Sequence, residues 1–300
     1  MTMQEVMVPV GDGVELHTWV FKPEGFDGPR PAISMAHGFG GVKYRGLRNY
    51  AEKFAAAGFV VTVHDHRGFG LSGGVVRGDI DPWQQIADWK RVISYVETID
   101  GVDTARIGLW GSSYAGGHAI VLGATDRRLK AIVSQVPTIS GYLQGQRRVP
   151  PEYRAALEER FNADERAQFQ GQPPAMQLML SMDPQVPAAY KLQEAQDFKD
   201  TFPLPEGIPS DEMITFQSSR KAMMYEPGNW IKRISPTPVL MVVATRDVVT
   251  PTDLALDAYE QLLEPKRLQM YDGNHFEAYA KDFDVTAGAA TEWFVEHLRP

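Results

Sequence analysis

Ser113 sits in Gly111-Ser112-Ser113-Tyr114-Ala115-Gly116-Gly117, directly after the apolar run Ile107-Gly108-Leu109-Trp110 and before the small-residue stretch from Ala115 to Ala124. A strand, a tight turn and a helix in that order lift one side chain clear of a sheet, the setting of a nucleophile elbow. The turn is sharp, so the residues two before and two after the nucleophile must be small. Gly111 and Ala115 meet that need. Ser112 is the rival by type, but Trp110 and Tyr114 at the same offsets are too large. At the elbow the hydroxyl stands at a helix N-terminus, whose dipole favours negative charge.

A serine hydroxyl is a weak nucleophile; it needs a base, and the base needs an orienting acid. The histidines are His17, His37, His64, His66, His118, His275 and His297. His17 falls mid-strand and His297 near the end of the last helix, both structural positions. His118 lies inside the elbow helix, more than a turn from the serine. His275 occurs in Tyr271-Asp272-Gly273-Asn274-His275-Phe276, a loop after the last strand. A doubly wound sheet carries its site at such strand ends. Asp247 follows the strand Val239–Ala244 in Ala244-Thr245-Arg246-Asp247. The order Ser113, Asp247, His275 is one of the orders in which a nucleophile, acid and base recur. Asp253 is better explained as the third residue of a helix, and Asp272 is too close to His275 in the chain to reach around it.

The oxyanion formed by attack also needs donors. His37-Gly38-Phe39-Gly40-Gly41 follows the strand Ala32–Ala36, and its glycines let backbone N–H groups face a developing charge. The expected donors are the backbone N–H groups of Phe39 and Tyr114, with His37 fixing the turn. Asp65-His66-Arg67-Gly68-Phe69-Gly70-Leu71-Ser72 reads as a structural loop in which Asp65 and Arg67 tie neighbouring loops. The His64-Asp65-His66 spacing matches no metal site, and neither metal nor cofactor is expected.

These loops need a scaffold. Ala32–Ala36, Phe59–Val63, Ile107–Trp110, Ala131–Val136 and Val239–Ala244 are short, nearly continuous apolar runs, as for strands covered on both faces. Glu15–Phe21 reads as a half-buried strand after the turn Gly11-Asp12-Gly13, and Leu268–Tyr271 as the last strand. Asp81-Pro82-Trp83-Gln84 opens a helix, with Asp as N-cap and Pro at the first position. Ile86, Trp89, Ile93 and Val96 follow at helical spacing. Thr250-Pro251 is expected to open another in the same way, and a final helix runs from about Val285 to Leu298. Strands alternating with helices predict an α/β fold with a mostly parallel, doubly wound sheet.

Residues 138–231 break that rhythm. They hold ten of the 21 prolines and six of the 12 methionines, with helical patterns at Glu152–Gln170, Ala175–Met182 and Asp211–Met224 and no convincing strand. The expected organisation is a core of residues 1–137 and 232–300 with a helical cap, 138–231, inserted over one edge of the sheet. Tyr142, Met176, Met179 and Trp230 are its candidate substrate-binding residues, suited to an apolar acyl or aryl group.

The formal charge of −8 argues against a general phosphate-backbone binder. The absence of cysteine excludes disulfides and thiol nucleophiles and fits the cytoplasm. No signal peptide or membrane span is expected. A homodimer is compatible with all of this.

Together, HGFGG, DHRGFGLS, GSSYAGG and the Asp247 and His275 loops resemble the α/β-hydrolase superfamily over the whole chain except the insertion. The resemblance implies that Ser113 is the nucleophile, His275 the base and Asp247 its partner, and that Phe39 and Tyr114 donate the oxyanion hole. The stretch from AAAGFVV to VSQVP is similar to dienelactone-hydrolase-like enzymes and fungal polyketide transferases. The Ser-Tyr pair at the elbow is also similar to X-Pro dipeptidyl peptidases and cocaine esterases. Those enzymes are larger and carry an extra β-domain, which is not expected within these 300 residues, so a dipeptidyl peptidase is not the expected activity. The expected activity is hydrolysis of a carboxylic ester, or a related acyl bond, of a small apolar substrate through an acyl-enzyme on Ser113. Acyl transfer by the same residues is the alternative, and a non-catalytic binding protein on this fold is the alternative from another class. Dehalogenases and epoxide hydrolases place a carboxylate at the elbow, which Ser113 is not.

Overall fold

The apolar runs form strands whose alternate residues enter two separate cores. The computed structural model describes residues 1–25, 28–183 and 185–300. Its strands are β1 (Thr2–Gly11), β2 (Val14–Lys22), β3 (Arg30–Ala36), β4 (Val60–His64), β5 (Val102–Ser112), β6 (Leu129–Gln135), β7 (Met176–Leu180), β8 (Ala188–Tyr190), β9 (Met213–Thr215), β10 (Val239–Ala244) and β11 (Lys266–Tyr271). Its helices are α1 (Leu47–Ala56), α2 (Pro82–Val96), α3 (Tyr114–Thr125), α4 (Gly141–Arg148), α5 (Pro151–Phe169), α6 (Gln193–Thr201), α7 (Phe216–Met223), α8 (Thr252–Gln261) and α9 (Phe283–Leu298).

Eight strands make one sheet in the order β1-β2-β4-β3-β5-β6-β10-β11. β2 pairs antiparallel with β1 and β4, and every pairing from β4 to β11 is parallel. Val239, Met241 and Val243 of β10 join α2, α3 and α8 in one core, whereas Leu240, Val242 and Ala244 join α1 and α9 in the other. Period-two burial of this kind leaves no polar face, which is why the strands read as unbroken apolar runs. β3 and β5 are neighbours, but the chain leaves β3 towards β4 and β5 towards β6. Their following loops therefore diverge, and a crevice opens between them.

Helix α2 starts as its sequence predicts. Asp81 Oδ1 accepts from the N–H groups of Trp83 and Gln84 at 3.0 and 3.1 Å, and Ile86, Trp89, Ile93 and Val96 are buried.

Between β6 and β10 the chain leaves the main sheet. The expectation of helices alone there is corrected. α5 follows the predicted pattern, but β7 replaces the helix expected over 175–182, and β9 precedes α7 within the expected 211–224 helix. These strands form a second sheet in the order β8-β7-β9. Met-Gln-Leu-Met-Leu has helix-favouring residue types, so pairing with β9 decides its state, and tertiary contact overrides propensity. No helix among the described residues is long and apolar enough to cross a membrane.

Candidate active site

The elbow between β5 and α3 holds Ser113 at φ 61° and ψ −119°, a conformation L-residues rarely adopt. A Cβ added at Gly111 would stand 2.1 Å from the Ala115 carbonyl oxygen, so the turn closes only around glycine there. The backbone after β3 comes equally near: a Cβ at Gly38 would lie 2.8 Å from Ser113 Cβ. The Ser113 N–H donates to Gln135 O on β6 at 2.8 Å, which ties the elbow to the sheet. Ser112, the rival, is fully buried and contacts Tyr279 Oη and Gln135 Nε2.

His275 Nε2 lies 2.9 Å from Ser113 Oγ, and His275 Nδ1 lies 2.7 Å from Asp247 Oδ2. A carboxylate only accepts, so Nδ1 carries the proton and Nε2 presents its lone pair to the serine hydroxyl. Both side chains are almost wholly buried. The Asp247 loop is tightly built. Oδ1 accepts from the N–H groups of Val249 and Thr250, each at 2.8 Å, and Thr250 Oγ1 stands 2.9 Å from Oδ2. The expected capping role of Thr250 is thereby corrected. No side chain caps α8; Thr250 donates its N–H to the Asp247 carboxylate, and its Oγ1 lies 2.9 Å from both Asp247 Oδ2 and Val136 O, with one proton to share between them. Thr252 Oγ1 accepts from Asp247 N–H at 3.1 Å.

The His275 loop is set by Asn274, whose Oδ1 accepts from the N–H groups of Phe276 and Glu277 at 3.0 and 3.1 Å. Asp272 faces outward to Arg246 and Thr245, and Asp253 pairs with Arg147 at 2.6 Å. Neither competes with Asp247.

Tyr114 is the first residue of α3, so its N–H is one of the donors a helix start leaves unsatisfied. Phe39 follows the glycine that touches Ser113. Neither N–H has a protein acceptor among the described residues. His37 braces this turn: Nδ1 is 3.0 Å from Gly38 O, and Nε2 accepts from the His66 N–H at 3.3 Å. Asp65 reaches back to the same loop, accepting from the Lys43 N–H at 2.7 Å, whereas Arg67 pairs with Asp88 on α2. Among the described residues no cluster of three His, Asp or Glu side chains is placed to hold a metal ion.

His37, His64, His66 and His118 are packed ring to ring beneath the site, with centroids 4.7 to 5.7 Å apart. Burial lowers the pKa of all four, that of His118 to about 3. Unfolding lets them protonate, so stability is complete above about pH 6.5 and falls as pH drops towards the folded values. Over two pH units below 6.5, His118 alone costs roughly 3 kcal/mol. Glu194, raised by burial, works in the opposite sense. We expect the urea midpoint to decline steadily from about pH 7 to about pH 4.5, before ordinary carboxylates titrate. A midpoint constant over that range would contradict the burial of these rings as neutral groups.

Two cavities meet at Ser113. The first, about 110 Å³, is lined by Val42, Leu47, Met179, Leu180, Phe198 and Phe276 together with His275. The second, about 130 Å³, runs under α4 and α7 past Thr138, Gln144, Arg148 and Met223. Phe39, Ser113, Tyr190 and Val249 line both. Of the four predicted substrate contacts, Met179 alone lines either cavity. Tyr142 and Met176 are 57% and 42% exposed and line outer clefts, and Trp230 packs on the core with Arg233 over its ring. Those three are corrected: amphipathic aromatic and sulfur side chains suit a cap exterior as well as a pocket. Phe198, Phe276 and Tyr190 were missed, because nothing in their local sequence distinguishes them from packing residues.

Residues 12–277 match the X-Pro dipeptidyl-peptidase family, S15. The chain belongs to that family. The S15 match spans the elbow, the Asp247 loop and His275. Thiohydrolase aneE of Aspergillus aculeatus is 32% identical over 283 residues, covering 91% of this chain and 86% of that protein. Quorum-quenching protein AidA of Acinetobacter baumannii is 31% identical over 83% of this chain and 80% of its own length. The crystal structure of the α/β hydrolase GrgF from Penicillium sp. superposes with a TM-score of 0.85 at 26% identity, covering 100% of both chains. The architecture of this S15 member is the α/β-hydrolase fold, and its chemistry is that of a hydrolase or acyltransferase.

Proposed function

We propose that this protein is a serine hydrolase that cleaves a small ester or thioester through an acyl-enzyme on Ser113. His275 Nε2 takes the hydroxyl proton as Oγ attacks the acyl carbon. The oxyanion is received by the N–H groups of Phe39 and Tyr114 at the start of α3. His275 then returns the proton to the leaving oxygen or sulfur, and the ester is now on Ser113. A water enters, gives its proton to His275 and attacks the same carbon; the proton passes to Oγ as the acid is released. Asp247 keeps Nδ1 protonated and steadies the imidazolium. Residues 138–231 act as a cap, supplying Met179 and Phe198 to the apolar cavity where the acyl chain rests.

The observation that carries this reading is the continuous relay Asp247–His275–Ser113, with links of 2.7 and 2.9 Å, ending at two unengaged N–H groups. A fluorophosphonate probe should label the protein at Ser113, and p-nitrophenyl acyl esters should be turned over. In Ser113→Ala labelling should vanish and kcat should fall by about 10⁴-fold or more. Equal turnover by both proteins would refute the assignment. Absence of labelling in an intact fold would point to a binding protein.

Acyl transfer is the second reading, favoured by the relative named polyketide transferase grgF, 28% identical over 96% of this chain. The second cavity offers an acceptor alcohol a path to the acyl-enzyme. An acyl-enzyme that resists water and is discharged by added alcohol would establish it.

A further inference from the structure

The two cavities at Ser113 differ in how their cations are engaged. In the first, both lining cations are tied to one carboxylate: Arg45 grips Asp211 through two bonds of 2.6 and 2.9 Å, and Lys199 stands 3.3 Å from the same group. In the second, Arg148 is the one charged lining residue among the described residues. No carboxylate of the described residues lies within ion-pairing distance of it. Its guanidinium carbon sits 4.4 Å from the centroid of the Tyr190 ring, one of the residues common to both cavities.

Arg148 ends α4, where a cation commonly serves the exposed carbonyls of the helix. That service is performed by Arg154, which donates to Val149 O at 3.0 Å and to Gln146 O at 2.6 Å. A guanidinium stacked on an aromatic face keeps its edge N–H groups in a fixed fork, and that fork matches a carboxylate or phosphate. The remaining polar groups of the cavity are neutral. Gln144 Nε2 is engaged by Val249 O and Gln177 Nε2 by Ser219 Oγ.

We propose that the second cavity is an anion-selective subsite, and that Arg148 selects substrates whose leaving half, or whose acyl acceptor, carries an anionic oxygen group. This rests on the reading of Ser113 as nucleophile. The apolar acyl half occupies the first cavity, the carbonyl spans Ser113, and the other half passes Phe39 and Tyr190 so that its anion meets the Arg148 fork. Arg148 is thus a specificity residue; it makes no contact with the reacting bond.

The test compares phenyl butyrate with 3-carboxyphenyl butyrate and with phenyl hemiglutarate, which moves the carboxylate to the acyl half. The protein should favour 3-carboxyphenyl butyrate by about tenfold in kcat/KM, expressed mainly in KM, as expected for one exposed charge-assisted contact. In Arg148→Gln that ratio should collapse towards unity, and Arg148→Lys should restore part of it. High salt should erode the preference in the unsubstituted protein. Calorimetric binding of 3-hydroxybenzoate, with phenol as control, reads the same subsite without turnover. It should weaken about tenfold in Arg148→Gln. A protein that shows no preference, or a preference that survives in Arg148→Gln, would overturn the proposal. So would a preference for the hemiglutarate. Failure of every ester together with normal 3-hydroxybenzoate binding would strike the nucleophile assignment and leave the anion subsite standing.

Discussion

Asp247→Asn is expected to lower kcat by about 10⁴-fold while leaving the fold intact. The reason lies in the bonds around the carboxylate. Oδ1 is committed to two backbone donors, the N–H groups of Val249 and Thr250. An asparagine must keep its oxygen there, because turning its NH2 towards two N–H groups would set donor against donor. The NH2 then faces His275 Nδ1, which can only accept from it. The proton moves to Nε2, and the lone pair that should receive the Ser113 proton is lost. Steady-state kinetics on a p-nitrophenyl ester, with thermal melting as control, checks this. A loss of less than tenfold at unchanged stability would mean that Asp247 does not set the tautomer.

The second large effect concerns stability. Lys43 is fully buried, its ammonium against Asp65 Oδ2 and 2.8 Å from His17 Nδ1. Trp19 and Tyr44 place their rings over it at 5.1 and 4.6 Å. Burial lowers its pKa, and Asp65 opposes that shift. Lys43→Met should cost about 3–5 kcal/mol, because it strands the fully buried Asp65 carboxylate. Lys43→Met combined with Asp65→Leu should recover much of the loss, since two apolar groups of similar volume leave no charge unmatched. Urea denaturation of the two variants distinguishes these outcomes. A single variant as stable as the parent would show that Asp65 finds another partner or a proton. Because Lys43 follows the 37–41 loop, the single variant should also lose turnover.

The parts of the fold that were legible are those in which one local pressure dominates. Strands buried on both faces must be apolar throughout, so β3, β4, β5, β6 and β10 stood out. A sharp elbow must have small residues at fixed offsets, so Gly111 and Ala115 singled out Ser113. β1 escaped notice as an edge strand, with Met3 and Met7 largely exposed and Pro9 near its end. α1 escaped because Gly46 precedes it with a positive φ and no side chain caps it. The cap strands have three to five residues and helix-favouring types, so only their partners reveal them. Distances across the fold were equally hidden. Thr250 looked like a helix cap until the Asp247 loop folded onto it, and nothing in the sequence around Arg148 drew notice to it.

The backbone at Ser113 carries a lasting consequence. A non-glycine residue held at φ 61° costs on the order of 1–3 kcal/mol, out of a margin of about 5–15 kcal/mol for a typical protein. A glycine at that position would adopt the same backbone without strain and relax the turn. On the proposed role of Ser113 as nucleophile, the same exchange would abolish turnover, so durability and reactivity pull in opposite directions at this one position.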